Sequence, residues 1–164
     1  MAWQKNGTPD TLTTAGDTLQ ITDLTALTFN QFLVHIIDDG TDDLNQQYKT
    51  DNNSNTDYAR RRSNNGGSDA TTVNQAFVNF GATAGGLDRF QVSYWINISG
   101  EEKLMIGHGV ESDTAGASNA PSRIEIVGKV DTTTNSGQFT RVDIDNTQTG
   151  SYATESNLSA LSTD

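Results

Sequence analysis

The chain contains no cysteine, so neither a disulfide framework nor a thiolate metal site can hold it together. Proline is nearly absent; Pro9 and Pro121 both precede strand-like patterns, where no ladder donor is needed, and they mark boundaries, not linkers. No apolar run approaches the roughly 18 residues that span a bilayer. The first ten residues have neither the basic head nor the apolar stretch of a signal peptide, so a soluble product made in the cytoplasm without a signal peptide is expected. Strong hydrophobes are scarce too. Leu, Ile, Val and Phe make 33 of 164 residues, a level at which a highly charged chain is usually disordered. Positive charge is the last shortage: 10 Lys plus Arg stand against 21 Asp plus Glu, a net charge of −11. Such a surface repels phosphate backbones and anionic headgroups, which makes nucleic acid and bare membrane poor partners.

What is abundant points to strands and turns. Ser, Thr, Asn and Gln make 60 of the 164 residues, and 16 Asp against 5 Glu favours turns and loop ends over helices. Between 90 and 98, Phe90, Val92, Tyr94, Ile96 and Ile98 occupy every even position, which is the strand period. The same alternation runs through Leu19/Ile21, Phe32/Val34/Ile36, Leu104/Ile106/His108/Val110, Ile124/Ile126/Val130 and Val142/Ile144. No window carries a sustained helical stripe with caps, and there is no long repeat or heptad. An all-β fold is therefore expected: one domain over 1–164, an antiparallel β-sandwich of about nine or ten short strands, with the jelly roll as one form of it.

One hairpin can be derived in detail. Opposed residues of an antiparallel pair have a constant sum of residue numbers, so the even apolar sets of 90–98 and 103–111 face each other only across an odd-numbered loop. A loop of Ser99, Gly100 and Glu101 pairs Ile96 with Leu104, Tyr94 with Ile106, Val92 with His108 and Phe90 with Val110. The apolar set is expected to form the core face. Trp95 and Met105 then fall on the opposite, polar face beside Gln91, Ser93 and two glycines, and need cover. A loop of the same domain, a subunit contact, or a sugar stacked on Trp95 would each provide it.

Asp38, Asp39, Asp42 and Asp43 surround Gly40 at the end of a strand pattern, and hard cations such as calcium take oxygen ligands from such loops. The spacing is not that of an EF-hand and no glutamate closes it, so a solvated acidic turn is the competing reading. Arg60, Arg61 and Arg62 lie on one strand, and alternation separates Arg61 from the other two. An inward guanidinium needs a carboxylate or several carbonyls; an outward one can make a bidentate contact to an acidic neighbouring subunit. His35 and His108 belong to no metal-type pair or nucleophile context, Glu101 and Glu102 sit in a tight turn, and Gly107-x-Gly109 lies in a strand pattern with no helix after it. No catalytic residue and no cofactor is assigned.

Several blocks carry a resemblance: Ala2-Trp3-Gln4, the run from Tyr58 to Gly67, Gly100 to Leu104, Thr114 to Pro121, and Gly150 to Leu161. Together they resemble a family of small, single-domain, β-rich proteins of aquatic phages, viruses and environmental microbes. The resemblance implies a virion structural setting and carries over no activity or binding residue. The function expected is a non-enzymatic virion structural protein, whether capsid, capsid-decoration or tail-fibre subunit, that assembles as a homo-oligomer with other virion proteins. Trp95, Met105 and Arg61 are the expected contact residues. The alternative is a carbohydrate-binding, host-attachment module that meets host-surface glycans with the help of calcium.

Overall fold

The computed structural model describes residues 2–40, 42–83, 85–112, 117–132 and 136–164. Residues 114–116 of the family-like block therefore lie outside the described residues. Among the described residues thirteen strands follow one another: β1 (Gln4–Lys5), β2 (Asp10–Thr11), β3 (Thr18–Ile21), β4 (Phe29–Ile36), β5 (Leu44–Thr50), β6 (Tyr58–Asn64), β7 (Ala70–Gln75), β8 (Val78–Thr83), β9 (Arg89–Ile96), β10 (Lys103–Glu111), β11 (Ser122–Val130), β12 (Val142–Asn146) and β13 (Asn157–Thr163). Asn/Asp/Gly turns separate them, and Asp51, Asn52, Asn65 and Asn74 take the left-handed backbone that their short polar side chains tolerate.

Two antiparallel sheets pack as a β-sandwich. The larger has nine strands in the order β1-β13-β4-β9-β10-β11-β6-β7, with β2 pairing β13, and the smaller is β3-β12-β5-β8. The chain crosses from one sheet to the other at eight of the twelve connections between these strands. From β3 to β12 this is the strand order of a jelly roll, with a meander β9-β10-β11 standing where the simplest version has a single strand.

The scarce hydrophobes meet between the sheets. Leu19, Ile21, Val142 and Ile144 from the small sheet face Phe32, Val34, Ile36, Ile124 and Ile126 from the large one, as their alternation predicts. The β9–β10 register is also as expected, with Ile96 opposite Leu104, Tyr94 opposite Ile106, Val92 opposite His108 and Phe90 opposite Val110.

The face of that hairpin is inverted. The apolar even set points to solvent, while Trp95 and Met105 are 1% and 2% exposed, inside the sandwich. Two features of the interior account for this. Gly107 and Gly128 leave room for the small sheet: a Cβ on Gly107 would stand 2.8 Å from the Phe80 ring, and one on Gly128 3.2 Å from Val78. The polar members of the face also find hydrogen-bond partners inside the sandwich. Arg89 donates from Nη1 to Gln46 Oε1 (2.7 Å) and from Nη2 to Glu111 Oε2 (2.5 Å), and Tyr48 donates to Gln91 Oε1 (2.9 Å). Burial pulls the Arg89 guanidinium below its usual range, and Glu111 pushes back. Cover for Trp95 comes from Phe139, edge-on at 5.9 Å.

Candidate functional site: the outer face of the large sheet

The inverted hairpin leaves an apolar surface across β4, β9, β10 and β11. One cross-strand row reads Phe29, Ile96, Leu104; the next reads Gln31, Tyr94, Ile106, Val127; the last reads His35, Phe90, Val110, Arg123. Ile106, at the centre, is 53% exposed and Phe90 is 44% exposed. Among the described residues, the large apolar side chains left exposed away from these four strands are Trp3, Ile98 and, on β7, Val73. Strand alternation puts these residues on one side, and the strand-to-strand registers stack them into a continuous patch. Within it, Gln31 Nε2 donates a hydrogen bond to the Tyr94 hydroxyl (3.3 Å).

Charges on this face come in pairs. Arg61 meets Asp69 at 2.9 Å, Lys129 meets Glu102 at 2.6 Å, and Arg123 approaches Glu125 at 3.7 Å, all solvent-exposed. Both histidines lie here, His108 between Val92 and Glu125, and His35 between Phe90 and Asn157. A cleft of about 800 Å³ opens where Phe90, Val92 and Val110 form a floor beside His108, Pro121 and Arg123. Apolar floor and polar rim are the make-up of surfaces that other molecules cover.

The expected contact residues divide. Trp95 and Met105 are core residues: β9 and β10 turn them towards the small sheet, so they are not available to a neighbouring subunit, and this corrects their assignment. Arg61 does point outward, at the edge of the apolar patch. Its neighbours Arg60 and Arg62 turn inward, where Arg62 Nη1 donates to the Phe80 carbonyl (2.9 Å) and burial lowers both guanidinium pKa values.

The acidic loop is knit into the fold. Asp38 Oδ1 accepts from the Gly40 N–H (2.7 Å), the Asp38 N–H donates to Asp88 Oδ1 (3.2 Å), and Asp43 Oδ1 accepts from the Gly85 N–H (3.2 Å). Burial pushes the Asp38 carboxyl up, only partly offset by backbone N–H groups. Asp42 and Asp43 border a polar hollow with Gln148 and Thr149, and Asp39 stands exposed between Asp38 and Gly40. Among the described residues, no three acidic or imidazole side chains converge to hold a metal ion, so Asp38, Asp39, Asp42 and Asp43 do not gather into a calcium site.

Sequence reasoning grouped Phe90, Tyr94, Ile106 and Val110 correctly and put them on the wrong side. The signal that marks the true inner face is Gly107, whose missing side chain admits Phe80 of the opposite sheet. No family model, curated protein or solved structure matches this chain.

Proposed function

We propose that the chain is a non-enzymatic structural subunit of a virus particle, a capsid, capsid-decorating or tail-fibre component, which works by assembling with its own copies and other virion proteins. The observation that carries this reading is the outer apolar face: a chain this poor in hydrophobes leaves large ones in water across four strands, which is the expected cost of a surface built to be covered. Jelly rolls serve as capsid domains, and the sequence blocks quoted above point to the same setting, though a shared architecture supports a function only by analogy. Antibodies against the purified chain, applied to intact particles from cells that carry the gene, are expected to decorate them in electron micrographs. Particles left bare while their lysate reacts would overturn the reading.

A second reading has an observation of its own. The cleft beside Phe90, His108 and Arg123 offers an aromatic ring with polar side chains around it, as carbohydrate-binding sites do, and lectins also use the jelly roll. On a glycan array, with and without chelator, binding that Phe90→Ala abolishes would favour a host-attachment module; an array without signal would remove it.

A further inference from the structure

The outer face is apolar and exposed in the single chain. We infer that it is covered by the same face of a second copy, so that the unit of assembly is a closed two-fold dimer with the two nine-stranded sheets packed face to face. The inference rests on the assembly reading above and adds the partner and the symmetry.

Three features of the surface lead there. The first is area: eight half-exposed apolar side chains, the aromatic ones at about 150–250 Å² each when whole, leave on the order of 700 Å² open, close to the roughly 800 Å² per partner of a standard stable interface. The second is charge. The three ion pairs of the face cancel, so the entire −11 falls on the rest of the molecule. Two copies therefore repel each other through their other surfaces, and this face is where they approach without a like-charge penalty. The third is number. A face that meets its own copy about a two-fold axis closes at two copies instead of growing into an open array. Sheet faces pack about 10 Å apart with strands within about 30° of alignment, so the exposed rows from Phe29 to Val127 can interdigitate as the two inner faces of a sandwich do.

Sedimentation equilibrium of the purified chain tests this. Expected is a monomer–dimer equilibrium that tightens when NaCl is raised from 0.05 M to 0.5 M, because salt screens the repulsion between acidic copies and leaves apolar burial intact. Ile106→Lys, at the centre of the face, is expected to weaken the dimer about tenfold or more while leaving circular dichroism, and melting at a dilution where the parent is monomeric, unchanged. Thr56→Lys, which adds the same charge on an exposed turn, is expected to leave the dimer in place. A chain that stays monomeric at high salt, oligomers larger than a dimer, or a dimer indifferent to Ile106→Lys would each overturn the inference. If antibodies still decorate particles, the assembly reading survives that failure; bare particles beside an Ile106-dependent dimer would sink the virion setting and leave the dimer standing.

Discussion

The two faces of the β9–β10 hairpin differ in a way that runs against their composition. The outer face carries Phe90, Tyr94, Ile96, Leu104 and Ile106; the inner one carries Arg89, Gln91, Ser93, Gly107 and Gly109 with only Trp95 and Met105 as large apolar members. The inner face is nevertheless the buried one. It succeeds because its polar groups bond to Gln46 and Tyr48 across the sandwich and to Glu111 within the sheet, and because Gly107 lets the small sheet's Phe80 close in. Apolar content alone does not decide which side of a sheet is interior. What decides it is which side has an opposite sheet whose shape and hydrogen bonds fit.

The sharpest way to break that contrast is to cut one large side chain from each face. Trp95→Ala removes a ring packed on Phe139 and is expected to cost about 3–5 kcal/mol in urea unfolding, whereas Ile106→Ala on the outer face is expected to change monomer stability by no more than about 0.5 kcal/mol. Equal costs would mean that the faces are assigned the wrong way round.

Next in size is the buried ion pair. Glu111→Ala leaves the Arg89 guanidinium, fully buried, without the carboxylate it pairs with, and a loss of about 3 kcal/mol is expected by the same measurement. A loss under 1 kcal/mol would show that water reaches Arg89.

Gly107→Ala sharpens the role of close approach. The added methyl would meet the Phe80 ring at 2.8 Å and Ile126 at 3.0 Å, so overpacking of about 1–3 kcal/mol is expected, read as a lower thermal midpoint. A neutral result would mean that the sheets can part without cost.

The smallest effect concerns Asp38. Burial raises its pKa in the folded state, so the folded chain keeps a proton that the unfolded chain has already released, and stability falls as pH rises from the ordinary carboxylate value to the raised one. Asp38→Asn removes that slope. The variant is expected to melt slightly above the parent at neutral pH and level with it at acid pH, where both side chains are uncharged; a difference independent of pH would point to a lost hydrogen bond with Gly40 instead.

Much of the fold was legible because strand alternation and turn chemistry are local. Parity limited the hairpin to an odd-numbered loop, of which the three-residue one gives the observed register, and the acidic, Asn-rich turns fell where composition put them. The site was only half legible. Which residues share a face is written in their spacing, but β9 lies beside β4, whose partner residues stand some sixty positions earlier in the chain, and that pairing joins Trp95 to Asn30 and Ser93 to Phe32. Once Phe32, Val34 and Ile36 point inward, the odd residues of β9 must follow. Nothing within the hairpin itself expresses this constraint.

The amino-acid sequence by itself determined that this is an all-β chain with sparse, alternating hydrophobes and an acidic surface, because those properties depend only on neighbouring residues. Tertiary structure alone decided that the richest apolar stripe faces solvent and that Trp95 and Met105 do not. The reason is that a β-strand has two sides of equal standing until a second layer packs against one of them, and the choice between them is made by long-range pairing, by polar groups that find partners, and by glycines that yield space.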